Sequence, residues 1–181
     1  MSLVWQGSIG ALSLLVMLSI VIGAVRTGIS PMPSSRAAIK QLLAFVPDEG
    51  SGPIFELGSG WGTLAIPLAR AHPQRLVICY ELSTIPWLVS LLRARLSGVA
   101  NLEIRRGDFF EADLSEAEAV VCYLYPGGMT RLKQKLEQEL SGEAMVLSNT
   151  FAVPGWKPHQ RVKLDDLYRT PVYCYTRSDH Q

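Results

Sequence analysis

From Ser34 onward the apolar positions follow two rhythms that alternate along the chain. Ile39, Leu42, Leu43 and Val46 recur at helical spacing, which predicts an amphipathic helix over Ser34 to Phe45 with Ser34 or Ser35 as its N-cap. The Gly50-Ser-Gly-Pro53 turn ends that unit. Short buried runs then alternate with helical stretches. Strands are expected at Ile54 to Leu57, Arg75 to Tyr80, Leu102 to Arg106, Ala119 to Leu124 and Ala144 to Ser148. Helices are expected between them, at Thr63 to Ala71, Ile85 to Leu96 and Gly128 to Leu140. Strands that alternate with helices must pair in parallel through crossovers, so the fold class is α/β with an open twisted sheet. Past Phe151 the rhythm changes. Gln160 to Leu164 and Pro171 to Tyr175 read as two strands with little helix between them, an antiparallel pair at the sheet edge.

The stretch Met1 to Val25 has neither rhythm, and it contains no Asp, Glu, Lys, Arg or His. It is apolar almost all round and reaches the roughly 20 residues that a helix needs to cross a bilayer. A buried core helix would keep a polar stripe, and a cleavable signal peptide would want a positive segment ahead of a shorter apolar run. A single membrane helix is therefore expected, with Trp5 at the far interface. The first charges after it are Arg26, Arg36 and Lys40, and no acid appears before Asp48. By the positive-inside rule the C-terminal body then lies on the cytoplasmic or organellar interior side. No Arg-rich, Ser-rich leader is present, which favours a bacterial inner membrane over a mitochondrial one. The chain is expected to divide into an anchor (1–25), a linker with one helix (26–50) and the α/β domain (51–181).

Composition narrows the function. Of 181 residues, 48% are hydrophobic and only 18% charged, which excludes wholesale disorder. A net charge of +1 gives no basic excess with which to hold nucleic acid, so no nucleic-acid partner is expected. The three cysteines, Cys79, Cys122 and Cys174, are far apart and lie in strand-like runs, where they suit a reducing compartment as buried thiols. No His, Cys or carboxylate grouping has metal-ligand spacing, and no metal is expected.

Candidate chemistry begins at Phe55-Glu-Leu-Gly-Ser-Gly-Trp-Gly62, where a buried strand runs into a glycine-rich turn and then a helix. Gly58, Gly60 and Gly62 permit torsions and close approach that a Cβ would block, and a helix amino end follows. A dinucleotide-binding G-x-G-x-x-G would place glycine at 63, where this chain has Thr63. The second strand ends at Glu81, on the carboxyl edge where open α/β sheets bind ligands, and its two oxygens suit a vicinal diol. The third runs into Gly107-Asp108-Phe109-Phe110. Three acids thus close three successive strands.

The E-x-G-x-G-x-G spacing resembles the first motif of class I S-adenosylmethionine (SAM) methyltransferases, which have a Rossmann-like sheet. The resemblance implies SAM as cofactor, with Gly58, Ser59, Gly60 and Gly62 against its methionine part and Glu56 helping to hold its ammonium. It further implies Glu81 on the ribose, Asp108 on the adenine amino group and Phe109 over the ring. More narrowly, the chain resembles the lysine methyltransferases of the ATP synthase c-subunit and the adenine nucleotide translocase, with their archaeal and bacterial relatives. That likeness rests on Ser30-Pro-Met-Pro-Ser34, Glu56-Leu-Gly-Ser-Gly60, Tyr80-Glu-Leu82 with Pro86-Trp-Leu88, and Gly107-Asp-Phe-Phe110. Tyr123-Leu-Tyr-Pro126 and Phe151-Ala-Val-Pro-Gly-Trp156 extend it. The family commonly reads Gly-Asp-Gly-Arg where this chain has Gly60-Trp-Gly-Thr63.

The expected activity is SAM-dependent methylation of lysine in a membrane-associated protein. Tyr123 and Tyr125 are the catalytic candidates beside the methyl group. One of them is expected to face the cleft, and the position nearer the strand end favours Tyr125. Phe151 and Trp156 are expected to shape the acceptor channel. A lipid or quinone acceptor, or a non-catalytic SAM-binding scaffold, remain the alternatives.

Overall fold

The computed structural model describes residues 33–180, together with Ser8 and Gly10. Helix α1 (Arg36–Phe45) starts behind Ser35, whose Oγ accepts the Ala38 N–H at 3.1 Å, and it buries Ala38, Leu42 and Phe45 along one stripe. Four elements carry the left half of a parallel sheet: β1 (Ile54–Leu57), α2 (Ala65–Ala71), β2 (Val77–Glu81) and α3 (Thr84–Ser97). Then come β3 (Leu102–Arg106), β4 (Ala119–Cys122), α4 (Pro126–Glu139) and β5 (Met145–Asn149). The chain finishes with β6 (Gln160–Lys163), β7 (Pro171–Thr176) and a short 3-10 turn.

The seven strands order as β3-β2-β1-β4-β5-β7-β6. β1 to β5 run parallel, with Ile54 level with Val77 on one side and Ala119 on the other. β7 pairs antiparallel with both β5 and β6, so the expected antiparallel edge is present. All four residues of β1 and of β4 are buried, as strands covered on both faces must be. One core layer packs Leu42, Leu68, Val77 and Leu147 under α1 and α2. The other packs Leu57, Val120, Met129, Leu132 and Leu136 under α4. α1, which the sequence placed with the linker, is thus part of the first core.

Several boundaries differ from expectation by one or two residues, and two of the differences have local reasons. The fourth strand stops at Cys122 instead of Leu124, because Pro126 opens α4 and holds Tyr125 extended as its N-cap (φ −69°, ψ 165°). The first crossover helix begins at Ala65 because residues 60–64 form a turn, closed by the Gly62 N–H on the Ser59 carbonyl at 2.9 Å. Among the described residues no helix is long and apolar enough to cross a membrane. The expected membrane helix over residues 1–25 lies, apart from Ser8 and Gly10, outside them.

Candidate active site

β1 and β4 are neighbours whose onward connections leave toward opposite edges of the sheet, and at such a switch point the loops part to leave a crevice at the strands' carboxyl ends. A cavity of about 560 Å³ lies there, within the size range of small-molecule and cofactor sites. Glu56, Gly58, Ser59, Gly60, Glu81, Asp108, Phe109, Tyr123, Tyr125 and Phe151 all line it. Gly62 and Trp156 are not among the lining residues.

The glycine turn is built by torsion and by one carboxylate. Gly58, Gly60 and Gly62 have φ of 82°, 54° and 70°, all in the left-handed region that disfavours a side chain. Glu81 then holds the turn. Its Oε2 accepts the Gly60 N–H at 2.8 Å and its Oε1 accepts the Ser83 N–H at 2.7 Å, so the buried acid fixes the loop of β1 and the entry to α3 together. Gly62 serves packing: a Cβ there would collide with Ser90, one of the buried residues of α3.

Glu56 is buried and accepts a hydrogen bond from the Cys79 thiol at 3.2 Å, across the β1–β2 register. Burial lifts its carboxyl from 4.5 to about 8; the Cys79 hydrogen bond opposes this and the nearby Glu81 charge adds to it. Burial therefore favours the protonated form of Glu56 near neutral pH. The Cys79 thiol is pushed well up by its own burial and then by Glu56, so it is no nucleophile. Asp108 Oδ1 accepts the Phe110 N–H at 2.9 Å, a local turn that sets Phe109 and Phe110 side by side with centroids 4.4 Å apart.

On the other side of the crevice both Tyr123 and Tyr125 line the cavity, where only one was expected to face it, because residues two apart along an extended backbone share a face. Tyr123 stacks on Phe151, with centroids 6.3 Å apart. Phe151 is delivered by an unusual turn. Thr150 sits at φ 69°, its N–H donates to the Pro171 carbonyl at 2.8 Å, and Ser148 Oγ donates to the Phe151 carbonyl. Trp156 goes elsewhere. Gly155 (φ 77°) turns the chain back, and the indole is buried against Tyr175 with its Nε1 donating to Glu137 Oε1 at 3.1 Å. Its position is a core position, not a channel wall.

Among the contributors that were not anticipated, three come from outside the strand-end motifs. Pro33 and Ser34 reach the cavity because Asn149 Nδ2 donates to Ser34 Oγ at 3.2 Å, tying the entry of α1 to the end of β5. Arg131 of α4 lines it with its guanidinium 3.7 Å from the Phe110 ring centroid. Among the described residues no grouping of His, Cys, Asp and Glu could hold a metal ion.

The methyltransferase domain named ANTKMT matches residues 56–160. The chain belongs to the ANTKMT methyltransferase family. A protein-lysine N-methyltransferase of Saccharolobus islandicus is 28% identical over 83% of this chain and 94% of its own. The mouse adenine nucleotide translocase lysine N-methyltransferase is 34% identical over 59% of this chain, which spans about half of that longer protein. Among solved structures, an RNA methyltransferase from Salinibacter ruber in complex with S-adenosyl-L-homocysteine (SAH) superposes with a TM-score of 0.75 and 31% identity, over 83% of this chain and 96% of that one. This member of the ANTKMT family is therefore a class I SAM-dependent methyltransferase. Its cavity fits the cofactor on structural grounds as well: Ser59 Oγ is buried at the lining with no partner, beside a cradle of left-handed glycines.

Proposed function

We propose that this enzyme methylates the ε-amino group of a lysine in a membrane-associated protein. The observation that carries the reading is the aromatic end of the cavity, where Tyr123 is stacked on Phe151 with Tyr125 at the rim, in a chain that matches nearly the full length of a protein-lysine N-methyltransferase. In this reading the Glu56 carboxylate pairs with the cofactor's ammonium, Glu81 accepts from the ribose with its remaining lone pairs, and Asp108 accepts from the adenine amino group. Phe109 lies against the adenine ring. When bound, SAM supplies a methyl group already activated by a cationic sulfur, so the protein's part is alignment and exclusion of water. A lysine must arrive neutral. The Tyr123–Phe151 wall disfavours the ammonium, and the tyrosine hydroxyls and loop carbonyls orient the amine's lone pair. The apolar segment 1–25 would hold the enzyme in the plane of an embedded substrate and so raise the effective concentration.

A second reading has one observation in its favour, the RNA methyltransferase named among the structural relatives. The net charge of +1 argues against an RNA surface. Incubating the full chain with methyl-labelled SAM and solubilised membranes, and separating protein, lipid and RNA fractions, decides between them. Label in a protein band, released as methylated lysine on hydrolysis, is expected. Label only in lipid or only in RNA would overturn the lysine reading.

The ribose assignment has its own test. Glu81→Gln keeps the shape but replaces one accepting oxygen with a donor, so it faces a backbone N–H with an NH2 group and loses a charge-assisted bond to the ligand. SAH affinity should fall by about 1–3 kcal/mol in calorimetry. Unchanged affinity would remove Glu81 from the site.

A further inference from the structure

Helix α3 is apolar on both faces. Pro86, Ser90 and Ala94 recur every four residues and are buried toward the domain. Leu88, Leu92 and Leu96 recur at the same interval two positions later, roughly 200° round the helix, and they are 54%, 56% and 79% exposed. Outward faces of surface helices are ordinarily polar, and a helix that is apolar all round is normally covered. Leu82, 40% exposed, lies just ahead of the helix and lines the cavity.

The charge around this face is predominantly positive. α3 carries Arg93 and Arg95 and no acid, and the adjoining β3 ends in Arg105 and Arg106. Its single acid, Glu103, is already paired with Arg105. A two-fold copy of the same face would set these arginines against one another, whereas anionic head groups would accept them. The chain's own geometry agrees. The uncharged segment 1–25 is joined to Pro33, at the cavity, by residues 26–32, whose fully extended reach is about 25 Å.

We propose that the outer face of α3, through Leu82, Leu88, Leu92 and Leu96 with Arg93 and Arg95 at its flank, lies in the interfacial layer of an anionic membrane and so presents the cofactor cavity at head-group level. This second, peripheral contact is separate from the anchor and does not rest on the identity of the methyl acceptor. It would fix how the domain lies on the bilayer, which a single tether leaves free.

The native cysteines are all buried, so a cysteine introduced at an exposed site takes a polarity-sensitive dye selectively. Full-length Leu88→Cys and Leu92→Cys, with Gln134→Cys on exposed α4 as reference, are labelled and reconstituted in phosphatidylcholine–phosphatidylglycerol vesicles. Each must bind SAH like the unmodified protein. Dyes at 88 and 92 are expected to shift to the blue and to lose about half of their emission to lipids carrying a quencher near the head group, while the dye at 134 does neither. Leu88→Asn with Leu96→Asn, in the Leu92→Cys background, should abolish the quenching while the chain still floats with the vesicles. Flotation without quenching overturns the proposal and leaves the anchor standing; failure to float overturns both. A blue shift that follows the protein-to-lipid ratio without quenching shows a second copy on this face and overturns it. A shift in vesicles that is independent of the protein-to-lipid ratio and is not quenched by the lipids shows the chain's own apolar segment there and does the same.

Discussion

Gly60→Val abolishes cofactor binding and leaves the sheet intact. Gly60 has φ 54°, where a β-branched residue is about 1–2 kcal/mol or more out of place, so valine rotates the peptide toward negative φ. That rotation takes the Gly60 N–H away from Glu81 Oε2, now 2.8 Å distant, and turns two methyl groups toward the cavity. One substitution thus removes the tie that holds the turn and fills the space the cofactor needs. SAH affinity is expected to drop at least about a hundredfold, the sum of a lost buried charge-assisted bond and steric exclusion. The far-UV circular dichroism spectrum should match the parent, since Gly60 lies outside every strand and helix. Gly58→Val, at φ 82°, should behave alike. Normal SAH binding by both variants would place the cofactor elsewhere.

Glu56→Gln has the opposite sign in the cofactor-free protein. The Glu56 carboxyl is raised from 4.5 to about 8 in the folded state, so the fold prefers its neutral form. Its contribution to stability is fully present below about pH 4.5 and is lost as pH rises through about 8, because the folded state then binds the proton that the unfolded state has released. Glutamine is neutral throughout. The variant should match the parent near pH 4.5 and exceed it by a few kcal/mol near pH 9, taking about 1.4 kcal/mol per pKa unit. Denaturant titrations at the two pH values check this, and parallel stability profiles would show that Glu56 is not buried as a neutral acid. Cofactor binding should move the other way. An ammonium at Glu56 favours the carboxylate, so SAH binding in the parent releases a proton and tightens from pH 6 toward pH 8, and Glu56→Gln loses both effects.

The legible and illegible parts of the site divide along a physical line. Glu56, Glu81 and Asp108 could be read because strand ends in an open parallel sheet meet at one edge whatever the side chains between them, so three acids at three ends must converge. Leu102–Arg106 could be placed to the residue from its alternation, with Leu102 and Ile104 between charged positions and Gly107 closing the strand. Ser34 and Arg131 could not, because their approach depends on how α1 and α4 pack; Ser34 meets Asn149 across 115 residues of chain. The two tyrosines stand two residues apart, and along an extended backbone that spacing puts both rings on one face, toward the crevice. Trp156 turned on Gly155, which reverses the chain and sends the indole into the core only five residues after Phe151.

The left-handed Thr150 stands at the junction between the parallel strands and the antiparallel pair. Glu56, the glycine turn, Glu81 and Asp108 belong to strands β1 to β3, whereas Phe151 reaches the crevice from the other half of the sheet. On the proposed function, donor and acceptor would thus be written in different stretches of the chain, and a lineage could rewrite the second while inheriting the first unchanged. Relatives named for protein lysine and for RNA, each aligned with 83% of this chain, are what such a division of inheritance would leave behind.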